Sequence, residues 1–143
     1  MAKLEPKARR TLADLDAWAA VLYRLLAPTG RLVLFEGHPV EWLFDVDEDG
    51  HWIATDYDYF GGPEASRGWA PEYIDRLSVP DAEQHWKFAR AWTLGEVVTA
   101  IARTGLVIDE VAEHPVDWWG GHADAAPSER GRIPLSFSIV AHR

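Results

Sequence analysis

The sequence predicts an α/β fold in which helices cover a small sheet. Two helical stripes, one from residue 12 and one after Thr93, are each followed by a turn and a short apolar strand. An alternating segment, Pro134–Ala141, ends the chain as a further predicted strand. The 143 residues are 48% hydrophobic and 26% charged, which is typical of one packed domain. We therefore predict a flexible leader over residues 1–11 and a single domain over 12–143.

The first helix is predicted from apolar residues spaced three and four apart. They are Leu12, Leu15, Trp18, Leu22, Leu25 and Leu26. Thr11 is the predicted N-cap, with Asp14 three positions later in the manner of a capping box. Pro28-Thr29-Gly30 ends the helix. The apolar run Arg31–Phe35 then predicts a strand that is covered on both faces.

The next segment, Val40 to Tyr59, alternates with a period of two around Asp49-Gly50. This pattern predicts a β-hairpin with a two-residue type I′ loop. In that register Val46 faces Ile53, Phe44 faces Thr55 and Trp42 faces Tyr57. From Phe60 to Trp92, prolines and glycines interrupt every period, so we predict a loop with short helical pieces.

The second helix has the clearest local signals. Thr93 and Glu96 match a capping box, and Gly105 stands where a left-handed glycine ends a helix. The apolar stripe consists of Leu94, Val97, Val98, Ile101 and Ala102. A strand is predicted over Leu106–Val111, and an irregular loop over Pro115–Pro127.

Composition excludes several classes of function. A net charge of −9 and a pI near 5.0 argue against a nucleic-acid partner, because that affinity comes from clustered Lys and Arg. No apolar run approaches the roughly 18 residues of a membrane span, and the start MAKLEPKARR lacks the apolar core of a signal peptide. We expect a cytoplasmic protein with no membrane partner. The absence of cysteine excludes thiol chemistry and disulfides.

One short motif suggests a cation site. Asp45, Asp47, Asp49 and Gly50, with Asp56 at the twelfth position, have the spacing of an EF-hand calcium loop. The flanking residues alternate with period two instead of forming helices, and the twelfth residue is Asp where Glu is usual. The hairpin is therefore the favoured interpretation, and cation binding from Asp45 to Asp56 stays open.

The histidines and glycines match no catalytic signature. His38 with Glu41, and Glu113 with His114, are local acid–imidazole pairs, but neither has the spacing of a zinc site. The serine hydrolase elbow and the phosphate-binding glycine motifs do not occur. We predict no metal site and assign no catalytic residue.

Tryptophan is the unusual residue, with 8 copies. Seven form the constellation Trp42, Trp52, Trp69, Trp86, Trp92, Trp118 and Trp119. Large aromatic side chains serve in cores and in ligand pockets alike. The constellation therefore has two interpretations, a pocket for an apolar small molecule or ordinary packing.

Two stretches resemble class I S-adenosylmethionine-dependent methyltransferases. The run from Trp18 to Pro39 resembles the helix, Pro-x-Gly turn and fifth strand of that family, with Phe35-Glu36-Gly37-His38-Pro39 as the junction. The run from Trp92 to Pro115 resembles the later helix and sixth strand, and PLSFSIVAHR resembles the final antiparallel strand. The resemblance covers about 125 residues and corresponds to the C-terminal half of the family.

The resemblance implies a truncated Rossmann-like sheet of the last three strands, with covering helices and an inserted hairpin. It implies S-adenosylmethionine as the cofactor. The glycine-rich turn and the ribose-binding acid of the family's first half have no counterpart here, so no cofactor-binding residue is predicted. We therefore do not expect this chain alone to bind the cofactor or to catalyse methyl transfer.

The resemblance also implies a pocket for a small-molecule methyl acceptor. Its candidate residues are Glu36, His38, Trp42, Tyr57, Tyr59, His85 and Trp92. Among these, His38 or His85 is the candidate base, chosen on residue type alone. The alternative function is a non-enzymatic dimeric module that binds a small ligand in an aromatic pocket.

In the half-fold, the strand Arg31–Phe35 has an open, apolar edge. Such an edge pairs readily with another chain. We therefore predict a homodimer through this edge. If the terminal strand lies between the other two, the three strands still form one sheet.

Overall fold

The computed structural model describes residues 9–10, 14–62, 64–67, 86–118 and 120–143. Contacts between Cα atoms divide the chain into two compact units. One unit comprises Met1–Ala13 with Gly62–Ala91, and the other comprises Asp14–Gly61 with Trp92–Arg143. The larger second unit contains both described helices and the central sheet.

Three strands form the central sheet of the larger unit. They are β2 (Arg31–Gly37), β7 (Val107–His114) and β8 (Ser136–His142). The order is β2-β8-β7, and β8 is antiparallel to both neighbours. The terminal strand lies between the other two, the arrangement that lets the three strands form one sheet. The ladder between β7 and β8 shifts register between Ile108 and Glu110, which leaves Asp109 as a bulge.

Helix α1 spans Leu15–Leu25, and its N-cap is Asp14. The Asp14 carboxylate accepts a hydrogen bond from the Ala17 amide at 2.8 Å, and its extended backbone places the first helical residue at Leu15. The helix therefore begins three residues later than predicted. Asp14 is the cap, and Thr11 lies outside the described residues.

Helix α2 spans Leu94–Arg103 and has both halves of its predicted capping box. The Glu96 amide donates to the Thr93 hydroxyl, and the Thr93 amide donates to the Glu96 carboxylate at 3.0 Å. Gly105 has a φ of 92° and ends the helix as predicted.

The core lies between the two helices and one face of the sheet. Its buried members are Leu15, Ala19, Val97, Ala100, Ile101, Leu106, Phe137, Ile139 and Ala141. Leu32 and Leu34 of β2 pack against this cluster, whereas Val33 on the opposite face is 70% exposed. The prediction that β2 is covered on both faces is therefore wrong. The described helices cover one face only, so successive residues alternate in burial.

A hairpin follows β2. A 3-10 helix over Pro39–Leu43 leads into β3 (Phe44–Val46), which pairs antiparallel with β4 (Trp52–Ala54). Val46 lies opposite Trp52, so the predicted register is wrong by one residue and the strands are shorter than the predicted alternation.

The cause of the register change is the loop between the two strands. The Asp47 amide donates to the His51 carbonyl, and the Gly50 amide donates to the Asp47 carbonyl. Gly50 has a φ of 83°, so the loop is a turn followed by a left-handed glycine, not a two-residue type I′ loop. The Asp47 carboxylate accepts from the Asp49 and His51 amides and favours this longer loop.

The smaller unit contains a second sheet. Its strands are β1 (Arg9–Arg10), β5 (Glu64–Arg67) and β6 (Trp86–Ala89), in the order β1-β6-β5. β5 and β6 are antiparallel, where the sequence predicted a loop with short helical pieces. Residues 68–85 of that predicted loop lie outside the described part of the chain. The leader predicted over residues 1–11 also lies outside it, except for the two residues of β1.

Within the described ranges, none of the helices has the length and apolar character needed to cross a membrane.

Candidate functional site

A cleft of about 330 Å³ lies just beyond the carboxyl end of β2. The 3-10 helix, β3, the segment after β4 and the loop after β7 all contribute to it. The lining residues are Glu41, Trp42, Phe44, Asp45, Thr55, Asp117, Gly121 and His122. Its lining therefore combines three carboxylates with aromatic rings.

The loop at 117–122 is held in shape by one carboxylate. Asp117 accepts hydrogen bonds from the amides of Gly120 at 2.7 Å, Gly121 at 3.2 Å and His122 at 2.7 Å. Gly120 has a φ of 76°, a conformation that glycine adopts without strain. Asp117 thus places both its own charge and the His122 ring beside the cleft.

Glu41 is the electrostatically unusual group of the cleft. Burial, followed by the negative charges of Asp117 and Glu36, raises the pKa of its carboxyl from 4.5 to about 7. A carboxyl with this pKa exchanges a proton near neutral pH, which is the property of a general acid or base. The Glu41 amide donates to the His38 carbonyl at 2.9 Å, which fixes the residue in the 3-10 helix.

His38 is buried, with 3% of its surface exposed. Its Nδ1 accepts a hydrogen bond from the Val40 amide at 3.1 Å and so caps the 3-10 helix. Nε2 lies 2.9 Å from Oε1 of Glu113, although the two are not aligned as a well-formed hydrogen bond. Burial lowers the pKa of His38, and the Glu113 carboxylate opposes that change. The neutral ring with its proton on Nε2 fits both contacts.

Aromatic rings form the wall of the cleft. The rings of Trp42 and Tyr57 are 5.6 Å apart, and Trp42 is 51% exposed. On the other side Trp52 packs edge-on against His122 at 5.1 Å and donates from its indole nitrogen to the Glu129 carbonyl. These contacts leave the Trp42 indole as the aromatic surface that is open to a ligand.

The predicted acceptor-site residues divide into two groups. Trp42 lines the cleft, and Tyr57 contacts its ring. The His38 carbonyl accepts from the amide of the lining residue Glu41, and the charge of Glu36 acts on the Glu41 carboxyl. Tyr59 instead packs on Phe60 at 4.9 Å, and Trp92 packs against the hydrophobic core. His85 lies outside the described residues. The tryptophans with described side chains do not form a single pocket, because Trp92 belongs to the core and Trp118 contacts Phe35 of β2 at 5.7 Å.

Several residues at or near the cleft were not predicted as site residues, among them the titratable groups Glu41, Glu113, Asp117 and His122. Two of them carried a signal, since Glu41 and Glu113 belong to the local acid–imidazole pairs noted in the sequence. The structure pairs His38 with Glu113 instead, across 75 positions of the chain. Asp117 and His122 carried no local signal, because their importance arises from the folding of their loop against the hairpin.

The possible cation loop at Asp45–Asp56 is a hairpin. The Asp47 carboxylate binds amides of its own loop. Across the described ranges, no three acidic or imidazole side chains are grouped so as to hold a metal ion.

Comparison with known proteins identifies the fold. No protein-family model matches the chain, and no curated protein matches it. An S-adenosylmethionine-dependent methyltransferase from Mesorhizobium loti superposes with a TM-score of 0.52 and 20% identity, over 92% of this chain and 56% of that one. A protein assigned as an S-adenosylmethionine-dependent methyltransferase from Listeria monocytogenes superposes with a TM-score of 0.56 and 21% identity, over 99% of this chain and 64% of that one.

The chain shares the fold of these methyltransferases. It spans less than two thirds of the length of either one, in agreement with the C-terminal portion that the sequence resembles. This agreement extends to the sheet, whose terminal strand is antiparallel to its neighbours.

The described residues do not fit S-adenosylmethionine by themselves. Nucleotide-type cofactors bind at glycine-rich turns between parallel strands and helix N-termini, and the central sheet described here has only antiparallel pairs. Both described helix N-termini are already occupied, by Asp14 and by the pair Thr93 and Glu96. The described part of the chain therefore contains the cleft but no free helix N-terminus of the kind that holds a nucleotide-type cofactor.

Proposed function

We propose that this chain serves in S-adenosylmethionine-dependent methyl transfer and that its cleft receives a small-molecule acceptor. The observation that carries the proposal is the position of the cleft, next to the carboxyl end of β2 in a fold shared with methyltransferases. Ligand sites in open α/β sheets lie beyond the carboxyl ends of strands, and the carboxylates together with the exposed indole give this cleft binding chemistry.

In the proposed role, the residues of this chain bind and orient the acceptor. Glu41 can take up a proton near neutral pH, while the Asp117 carboxylate accepts from three backbone amides of its own loop. Neutral His38 caps the 3-10 helix and keeps Glu41 in place. S-adenosylmethionine would supply the methyl group when bound, and the described residues of this chain would hold the acceptor.

Calorimetric titration of the purified chain with S-adenosylhomocysteine tests this function. Saturable binding near one site per chain supports a methyltransferase role, with adenosine monophosphate as the control for purine stacking on exposed tryptophans. Absence of heat with S-adenosylhomocysteine contradicts a methyltransferase role for this chain by itself.

The alternative function is a non-enzymatic, dimeric small-ligand module. It is favoured by the exposure of Trp42 beside Tyr57 and by the poor fit of the described residues to S-adenosylmethionine. Ligand binding in the cleft without any affinity for S-adenosylhomocysteine would distinguish this module from the methyltransferase.

The proposed partner is a second copy of the chain. β2 is an edge strand of its described sheet, and Val33 and Phe35 on its outer face are 70% and 41% exposed. An open strand edge beside exposed apolar side chains is a surface on which another strand pairs.

A further inference from the structure

The lining of the cleft combines negative charge with an exposed aromatic face. Glu41, Asp45 and Asp117 supply the carboxylates, and the pKa of Glu41 is raised in part by the charge of Asp117. An approaching positive charge would relieve that repulsion. The indole of Trp42, in contact with Tyr57, presents the electron-rich ring surface that attracts organic cations.

A bare metal ion suits this lining poorly. In the described part of the chain no three acidic or imidazole groups converge on one point. Three of the roughly four lone-pair sites of Asp117 already accept backbone amides, and Asp45 accepts from the Val46 amide. An organic ammonium needs fewer ligands, because one or two charge-assisted hydrogen bonds and an aromatic face are enough to hold it.

His122 adds a second observation. It lines the cleft, and its Nδ1 is buried without a hydrogen-bond partner among the described residues. A ligand whose polar group reached this nitrogen on entering the cleft would satisfy it. The volume of about 330 Å³ lies at the lower end for ligand pockets and suits a compact molecule.

We propose that the cleft binds a small organic ammonium, with the cationic nitrogen beside Glu41 and Asp117 and the carbon portion against Trp42. As a statement about the methyl acceptor this rests on the proposed function, and it makes the acceptor an amine: the ammonium would lose a proton to Glu41, and the freed nitrogen would take the methyl group as S-adenosylhomocysteine leaves. As a statement about binding it stands on the cleft alone.

The test compares benzylamine with its neutral isostere benzyl alcohol by calorimetry on the full chain at pH 8. We expect benzylamine to bind at least about tenfold more tightly, since a charge-assisted hydrogen bond contributes about 1.5–3 kcal/mol. Equal affinity for the two probes, or no binding of benzylamine, overturns the inference.

Substitutions locate the site. Glu41→Gln removes one carboxylate from the cleft and is expected to weaken benzylamine about tenfold. Trp42→Leu keeps an apolar side chain without the ring and is expected to weaken it about threefold or more. The matched control is Glu48→Gln, which makes the same chemical change on an exposed residue of the hairpin loop and should leave the affinity within about twofold. Equal losses from Glu41→Gln and Glu48→Gln would mean that only net charge matters and would overturn the site.

The two proposals fail separately. Benzylamine binding that depends on Glu41, with no S-adenosylhomocysteine binding, removes the methyltransferase role and keeps the ammonium site. Saturable S-adenosylhomocysteine binding, with no preference for benzylamine over benzyl alcohol, removes the ammonium site and keeps the methyltransferase role.

Discussion

Glu41 has a carboxyl group whose folded environment favours the protonated form. Its pKa rises from 4.5 to about 7, because burial and the charges of Asp117 and Glu36 disfavour ionisation. The folded state therefore holds this proton more tightly than the unfolded chain does. The resulting contribution to stability is fully present below pH 4.5 and is lost as the pH rises through about 7.

Glu41→Gln should remove this pH dependence, because the amide is neutral at every pH. After allowance for the half-buried position of the side chain, we expect the variant to be about 1–2 kcal/mol more stable than the parent at pH 8. No comparable gain is expected at pH 4.5. Urea unfolding at the two pH values measures the difference, with Glu48→Gln as the exposed control, and equal gains at both pH values would contradict the assignment.

His38 is a base, and its folded environment favours the deprotonated form. Burial lowers its pKa below 6.5, so the unfolded chain binds the proton more readily than the folded one. Stability is then present above pH 6.5 and is lost as the pH falls toward the lowered value.

Two substitutions of His38 separate its capping contact from its packing. His38→Ala loses both the acceptor for the Val40 amide and the ring contact with Phe137, and we expect a loss of about 2–3 kcal/mol. His38→Asn keeps a capping acceptor and should recover about 1 kcal/mol of that loss. Thermal unfolding at pH 7.5 measures both variants. Equal destabilisation by Ala and Asn would show that the cap contributes nothing.

The hairpin of β3 and β4 packs against the segment that follows β7. Its tip lies against residues 124–126, where the Ala126 amide donates to the Gly50 carbonyl at 2.9 Å. A Cβ on Gly50 would lie 2.8 Å from the Ala126 nitrogen, which is closer than real Cβ atoms come. Glycine is therefore required at position 50 by its positive φ and by this contact together.

Gly50→Ala should therefore cost more than the same change at Gly105. Both glycines have positive φ, but nothing lies within 4 Å of a Cβ placed on Gly105. We expect about 1–2 kcal/mol for Gly105→Ala from backbone strain alone, and at least about 1 kcal/mol more for Gly50→Ala from overpacking. Chemical denaturation of the two variants gives the comparison, and similar costs would mean that the hairpin tip does not pack on this loop.

For the whole molecule, the open edge of β2 leads to a prediction about assembly. If two copies pair through β2, a lysine at position 33 places a charge beside the new interface. Natural sheets use lysine on exposed edge strands to prevent such pairing. We expect Val33→Lys to weaken dimerisation about tenfold or more, since burying an unpaired charge costs over about 1.4 kcal/mol.

Sedimentation velocity over a concentration series measures the assembly state. Val21→Lys, at a 40% exposed position on α1, makes the same substitution away from the sheet and should leave the dimer unchanged. A parent chain that is monomeric at every concentration would contradict pairing through β2.

Local signals in the sequence were enough to predict most secondary structure of the larger unit. Thr93 and Glu96 cap α2, Gly105 ends it, and the alternation of Leu135, Phe137 and Ile139 places β8, because each feature depends on residues a few positions apart. The position of β8 within the sheet stayed open in the sequence, because strand order depends on pairing between distant segments. The hairpin register was missed, since the Asp47 side chain competes with the two-residue turn.

Local sequence patterns could not predict the contacts between distant segments of the chain. The pairing of His38 with Glu113 and the raised pKa of Glu41 beside Asp117 join residues about 75 positions apart in the chain. They exist because β8 brings β2 and β7 into one sheet, so that the segments after these strands meet at one end. Burial and electrostatic repulsion depend on that meeting, and a carboxylate acquires an unusual pKa only from the groups that folding places around it.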